Sequence, residues 1–277
     1  MKIWTNGDIA EDGAASVDIA DRGFLLGDGV FDTFRVTGGA PVRLDAHLAR
    51  LRAAAAAFAI PVPFADAAID AAVRELAVGN SVSDGVGRLT LSRGAGPRGL
   101  LPPDPAEPFA MMAVAPAPPQ TAAPLRLHVS DVVRPSGALT SRYKTLSYLD
   151  NVEARRRAAA AGFDEALLLN ERGEAACACA ANIFWLKGGV LHTPALECGV
   201  LDGITRAAVI RAARAMDIPV NEGRFPLHAL TNARAIFLTS SLLGVRPVDS
   251  VTCAFGAVEC DVEDETLAAL KTAEAQA

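Results

Sequence analysis

A proline-rich segment separates this chain into two parts, each with its own pattern of helices and strands. Residues 116–124 are rich in proline and alanine and contain no bulky aliphatic or aromatic side chain. Such a composition favours an extended backbone and resists packing into a core. We therefore predict an N-terminal α/β domain over residues 1–115, a linker over 116–124 and a C-terminal α/β domain over 125–277.

In the first part, Asn6 and Gly7 stand between apolar residues, which predicts a hairpin turn. Asp45 is placed to cap a helix that ends before Pro61, because proline cannot continue a helix. The other elements predicted here are strands over 30–36 and 87–92 and a helix over 64–78.

The second part alternates strand and helix patterns in the same way. We predict strands over 125–129, 165–170, 182–186 and 235–239 and helices over 148–161 and 205–216, with a short helix near the C-terminus. Together the two parts indicate an α/β (α+β) architecture.

Composition excludes several classes of protein. The longest purely apolar run, residues 53–60, is far shorter than the roughly 20 residues of a membrane span. No signal peptide is visible at the N-terminus, so we expect a cytoplasmic protein without membrane partners. A net charge of −6 argues against nucleic acid as a partner.

The five cysteines form no paired framework, which fits reduced thiols. Cys177 and Cys179 form a C-x-C pair without a second pair or a histidine at ligand spacing. Because a structural zinc site needs about four ligands, we expect no metal.

One lysine has the setting of a nucleophile. Lys144 lies within SRYKTLSYLDN (141–151), with no carboxylate within five residues, at what looks like the start of a helix. Desolvation lowers the pKa of an ammonium group and makes the neutral amine of Schiff-base chemistry accessible. The alternative is a helix-start lysine in water.

Further motifs follow and precede this lysine in a fixed order. They are DRGFLLGDGVFDT (21–33), SRGAGPRG (92–99), GEAACACAANIFW (173–185), GVLDGITR (199–206) and FLTSSLLGVRPV (237–248). In this order and spacing the chain resembles the fold-type IV pyridoxal-phosphate enzymes, also called class IV aminotransferases. That family includes D-amino-acid and branched-chain aminotransferases and aminodeoxychorismate lyase. The resemblance runs from about residue 3 to about residue 250.

The resemblance implies pyridoxal 5'-phosphate as cofactor, Lys144 as the Schiff-base lysine and a homodimer. A glycine turn opening a helix favours a bound dianion, since unpaired N–H groups and the helix dipole point at it. The residues implied to hold the phosphate are Arg50, Ile204, Thr205, Ser240 and Ser241. On the residues alone, Thr205 could be only a helix cap and Arg50 a surface residue. Substrate contacts are implied for Phe31, which stands where the D-amino-acid enzymes have tyrosine, and for Arg98, whose fork suits a carboxylate.

The sequence departs from the family pattern at Cys177. There the family places a glutamate that pairs with the pyridine nitrogen of the cofactor, five residues before Asn182. The nearest acid, Glu174, is three residues away, an odd offset that points to the opposite face of a strand. We expect the cofactor to be a weaker electron sink here.

Three functions remain open from the sequence. The first is transfer of an amino group between an amino acid and a 2-oxo acid. The second is the lyase reaction that releases pyruvate from aminodeoxychorismate, because aromatisation of its product lessens the need for a strong electron sink. The third is a relic that binds the cofactor without efficient turnover.

Overall fold

The computed structural model describes residues 1–119, 123–253 and 256–276. These residues form two compact units, one comprising residues 1–119 with Tyr143–Ser147, the other comprising the rest. Each unit has its own sheet and helices, so the predicted α/β class is confirmed. The predicted linker over 116–124 begins at the last residue of a strand, and residues 120–122 of it lie outside the described residues.

The first unit is built on an antiparallel sheet in the order β2-β1-β6-β5-β3-β4. Its strands are β1 (Lys2–Thr5), β2 (Asp8–Glu11), β3 (Gly29–Thr37), β4 (Ala40–Pro41), β5 (Gly85–Ser92) and β6 (Phe109–Pro116). Its helices are α1 (Arg22–Leu26), α2 (Leu44–Ala57) and α3 (Asp66–Gly79). Leu48 and Leu51 of α2 and Val73 and Leu76 of α3 belong to one core with Phe34 of the sheet.

The hairpin at Asn6 and Gly7 is confirmed, with both residues at positive φ. The predicted cap at Asp45 is wrong, because α2 already begins at Leu44. Its N-cap is Arg43, whose backbone lies in the left-handed region. Asp45 instead lies in the first turn, where its negative charge interacts favourably with the positive end of the helix dipole.

The second unit has a mixed sheet in the order β12-β11-β10-β13-β14-β7-β8-β9, with β15 paired to β14. Its strands are β7 (Leu125–Val129), β8 (Glu165–Leu169), β9 (Ala175–Ala178), β10 (Asn182–Lys187), β11 (Val190–Pro194), β12 (Val220–Gly223), β13 (Ala235–Ser240), β14 (Gly244–Cys253) and β15 (Gly256–Glu259). Its helices are α4 (Leu139–Arg142), α5 (Leu149–Ala160), α6 (Ile204–Ala215) and α7 (Glu265–Gln276).

Lys144 belongs to the first unit, although the predicted C-terminal domain included it. The backbone explains the difference: the N–H of Phe31 donates to the carbonyl of Lys144 at 2.9 Å, and the N–H of Leu146 donates to Gly29 at 3.0 Å. The segment around Lys144 is thereby attached to the start of β3.

Candidate active site

The helix predicted over 148–161 is confirmed as α5 (Leu149–Ala160), but the expectation that Lys144 lies at its start is wrong. Lys144 lies in an irregular segment between α4 and α5. Backbone hydrogen bonds to β3, rather than a helix, fix the position of Lys144. A β-bridge between Val30 and Thr145 strengthens the attachment.

The ring of Phe31 contacts two nitrogen-bearing side chains. Nζ of Lys144 lies 4.2 Å from the ring centroid, and Cζ of Arg88 lies 3.7 Å from it. Such contacts with an aromatic face are each worth about 0.5–2 kcal/mol. Sequence reasoning missed Arg88, although its place on β5, two residues from the cross-strand partner of Phe31, could have revealed it.

A buried carboxylate fixes Arg50, one of the predicted phosphate ligands. Nε and Nη2 of Arg50 donate to Oδ2 and Oδ1 of Asp32 at 2.8 and 2.7 Å, and Nδ1 of His47 lies 2.8 Å from Oδ1. His47 and Arg50 are three residues apart on α2, so both face Asp32 on β3. Sequence reasoning gave a role to neither Asp32 nor His47.

Asp32 is ionised near neutral pH. Burial alone would raise its pKa, but hydrogen bonds from His47 and Arg50 outweigh that effect and lower the pKa to about 2. Since the ionised carboxylate only accepts, Nδ1 of His47 carries the proton in their contact.

Arg98 lies in an exposed loop whose backbone is held by a buried arginine. Nη1 and Nη2 of Arg22 donate to the carbonyls of Gly99 and Leu100 at 3.0 and 2.8 Å, and Nε of Arg22 donates to Asp28 at 2.8 Å. The substrate contact predicted for Arg98 stays a prediction.

In the second unit, α6 begins as the sequence predicts. Its N-cap, Gly203, provides no side-chain cap for the first N–H groups, which include those of Ile204 and Thr205. A Cβ on Gly203 would lie 2.0 Å from Oδ1 of Asn182, so only glycine allows this approach. The helix start therefore lies directly against β10.

Thr205 provides a hydroxyl in the first turn of α6, and Thr239 and Ser240 provide two more at the end of β13. Thr239 is the cross-strand partner of Asn182, and its buried Oγ1 has no hydrogen-bond partner among the described residues. Thr205 is also buried, whereas Oγ of the half-buried Ser240 accepts from the N–H of Leu243 at 3.2 Å. Sequence reasoning chose Ser240 and Ser241 and passed over Thr239. The roles of both serines stay predictions.

Cys177 is buried in a cluster of small apolar residues between β9 and α5. Burial raises the pKa of its thiol, while the positive charge of Arg134 acts in the opposite direction. Cys177 is therefore a neutral thiol near neutral pH. Glu174 precedes β9, and its carboxylate accepts from Arg172 and Asn170, each at 2.7 Å.

Each unit, taken by itself, contains groups that fit a phosphate-bearing cofactor. The first contains the guanidinium of Arg50, which Asp32 orients. The second contains the uncapped start of α6 and the Thr239 hydroxyl, which has no partner in the described ranges. Helix N-termini and guanidinium groups are the usual phosphate ligands of proteins. Thr145, next to Lys144, has a second buried hydroxyl with no partner among the described residues.

Among the described residues, no group of three or more His, Cys, Asp or Glu residues could hold a metal ion. No helix there is both long and apolar enough to cross a membrane.

The two-sheet fold places the chain among the fold-type IV enzymes. A branched-chain amino acid aminotransferase from T.th., solved with pyridoxamine 5'-phosphate, is similar with a TM-score of 0.89 and 26% identity, over 99% of this chain and 93% of that one. The model of the family described as amino-transferase class IV matches residues 29–251, and the chain belongs to this family.

Two curated relatives are similar over most of their length. A protein of Methanocaldococcus jannaschii, assigned as a branched-chain-amino-acid aminotransferase, is 36% identical over 90% of this chain and 87% of its own. The aminodeoxychorismate lyase of Bacillus subtilis is 32% identical over 90% of this chain and 86% of its own. The family thus contains both a transferase and a lyase reaction, and its members depend on pyridoxal phosphate.

Proposed function

We propose that this chain uses pyridoxal 5'-phosphate to transfer an amino group between an amino acid and a 2-oxo acid. The observation that carries the proposal is the position of Lys144, whose Nζ lies 4.2 Å from the centroid of the Phe31 ring, which the guanidinium of Arg88 also contacts. The amine that would hold the cofactor and a group suited to a substrate carboxylate thus contact the same aromatic ring.

Bound pyridoxal phosphate would supply an electron sink for the negative charge left when the substrate Cα loses its proton. Nζ of Lys144 is the group that would hold the cofactor and then move the proton at Cα. Arg50, the N–H groups of Ile204 and Thr205, and the hydroxyls of Thr205, Ser240 and Ser241 would hold the phosphate. To these we add the hydroxyl of Thr239, which lacks a partner among the described residues.

The substrate carboxylate is assigned to arginines. Arg88 is oriented by Phe31, and Arg98 lies in the loop that Arg22 holds. Guanidinium groups bind carboxylates through paired N–H donors and discriminate against substrates without that group. We also propose the homodimer and the cytoplasmic location that the family resemblance and the composition predict.

A lyase reaction that releases pyruvate from aminodeoxychorismate, forming 4-aminobenzoate, is the second candidate. The neutral, buried thiol of Cys177 favours it, because such a thiol stabilises a pyridinium less than a carboxylate does. Formation of an aromatic product reduces the dependence on that stabilisation.

One anaerobic experiment separates the candidates. The holoenzyme is mixed with single D- and L-amino acids and, separately, with aminodeoxychorismate, and the cofactor absorbance and pyruvate release are followed without any added 2-oxo acid. A transaminase converts the cofactor to a stable pyridoxamine form in one half-reaction. The lyase instead releases pyruvate from aminodeoxychorismate alone, and a relic gives neither result, which would contradict the proposal.

A further inference from the structure

We propose that Asp32 is a positioning residue for the cofactor phosphate, acting through Arg50. The inference rests on the proposed function, since it takes Arg50 as a phosphate ligand. It adds a requirement that the sequence motifs did not reveal: the guanidinium must be held at a fixed angle by a buried carboxylate.

The geometry of the contact supports this role. Asp32 is 1% exposed and accepts from both Nε and Nη2 of Arg50, so the plane of the guanidinium is fixed by two bonds rather than one. These bonds use one edge of the guanidinium. Nη1 lies on the other side of the guanidinium, and because the plane of the group is fixed, the direction of the Nη1 N–H donors is fixed as well.

Asp32 is itself held on several sides. Its Oδ1 also accepts from the N–H of Thr33 at 2.7 Å and from Nδ1 of His47 at 2.8 Å. The carboxylate therefore has little freedom to follow a moving arginine. A long side chain on α2, with its many rotamers, is converted into a fixed donor.

The negative charge of Asp32 has an opposing effect. A carboxylate bound to Arg50 reduces the attraction between that guanidinium and a phosphate dianion. However, Asp32 and the phosphate would lie on different edges of the guanidinium, so their repulsion acts across a longer distance than the direct hydrogen bonds. We therefore expect orientation to outweigh repulsion, so that Asp32 raises the affinity for the phosphate. An experiment can decide whether the net effect is an increase or a decrease.

The experiment compares two ligands of the apoenzyme: pyridoxal 5'-phosphate and pyridoxal, which lacks the phosphate. For Asp32→Asn we expect the affinity for pyridoxal phosphate to fall by about tenfold, the usual effect of one lost charge-assisted contact, while the affinity for pyridoxal stays unchanged. An equal fall for both ligands would mean a general structural role and overturn the inference. Unchanged or tighter binding of pyridoxal phosphate would mean that repulsion dominates, which also overturns it.

Arg50→Lys provides a test that leaves Asp32 in place. Lysine keeps the charge but lacks the two-donor edge, so we expect a selective loss of pyridoxal phosphate affinity similar to that of Asp32→Asn. Wild-type affinity in Arg50→Lys would overturn the inference, because charge without orientation would then suffice. In an Arg50→Ala background, Asp32→Asn should cause no additional selective loss.

Asp66→Asn is the matched control. Asp66 accepts from Nε of Arg52 at 2.8 Å, so it makes the same type of contact with the next arginine of α2 at an exposed position. The Asp66→Asn variant should bind pyridoxal 5'-phosphate and pyridoxal with the affinities of the wild type. If the wild type binds pyridoxal as tightly as pyridoxal phosphate, the proposed function fails; if Arg50→Ala loses affinity selectively but Asp32→Asn does not, only the inference about Asp32 fails.

Discussion

Nζ of Lys144 lies 4.2 Å from the centroid of the Phe31 ring, and the N–H of Phe31 donates to the carbonyl of Lys144 at 2.9 Å. Both the backbone and the side chain of Lys144 are thus positioned by one residue of β3. The same ring contacts Arg88. The ring of Phe31 therefore contacts both the amine of Lys144 and the guanidinium of Arg88.

Phe31→Leu should lower kcat/KM for the amino donor by about tenfold, because both side chains lose an aromatic contact while most of the apolar volume remains. Steady-state kinetics and thermal unfolding measure activity and stability separately. Phe64→Leu is the control, since Phe64 packs against Trp4 with ring centroids 5.8 Å apart. Equal kcat/KM values for the two variants would show that Phe31 is only a core residue.

Acid should remove the stabilisation that Asp32 provides. Its folded-state pKa of about 2 lies below the unfolded value of 3.8, so the contribution is present above the unfolded pKa and is lost as pH falls toward 2. The shift corresponds to about 2 kcal/mol. Urea unfolding of the wild type and Asp32→Asn should show that difference at pH 7 and its decline below about pH 4. A difference independent of pH would contradict the assignment.

Thr239→Val tests whether the hydroxyl of Thr239, unpartnered among the described residues, serves the cofactor. Replacing an unsatisfied buried hydroxyl by a methyl group should stabilise the apoenzyme by about 1 kcal/mol, yet weaken pyridoxal phosphate binding by roughly fivefold to tenfold. Calorimetry and cofactor titration measure the two effects.

Thr193→Val is the matched control for Thr239→Val. The hydroxyl of Thr193 donates to the carbonyl of Ile183 at 2.9 Å, so its removal should destabilise the protein and leave cofactor affinity unchanged. Cofactor affinity that is the same in Thr239→Val as in the wild type would remove Thr239 from the site.

Local sequence signals predicted many of the elements that carry the site. The apolar pattern of β3, the prolines after α2 and the glycine turn before α6 are decided by neighbouring residues, and the structure has all three elements. Strands β6 and β9 were missed, because their alanine, methionine and cysteine residues have weak strand propensity. Pairing with neighbouring strands, which no local pattern reveals, makes them strands.

The candidate site, too, depends on long-range contacts that local sequence patterns do not reveal. Lys144 was found by its motif, but its attachment to β3 depends on backbone bonds across more than a hundred residues. Asp32 and Arg88 were missed because their significance comes from a partner on another strand or helix, which only the fold brings close. Thr239 was missed because only the fold shows that its hydroxyl is buried without a partner among the described residues.

Cys177→Glu should strengthen the electron sink by giving the pyridine nitrogen a carboxylate partner. The larger side chain costs packing among the alanines and cysteines around it, so some loss of stability is expected. Cα deprotonation should become faster in transamination, and less so in pyruvate release. Cys177→Ser controls for loss of the thiol, and a Cys177→Glu variant that folds but changes neither reaction would show that Cys177 lies away from the ring.

The most direct test of Lys144 as the cofactor-binding lysine is reduction of the purified holoenzyme with borohydride, followed by mass mapping of the peptides. We predict that the protein is yellow, that the phosphopyridoxyl group is found on Lys144, and that Lys144→Ala carries none. An adduct on Lys187 or Lys271, or no adduct, would contradict the assignment of Lys144 as the residue that holds the cofactor.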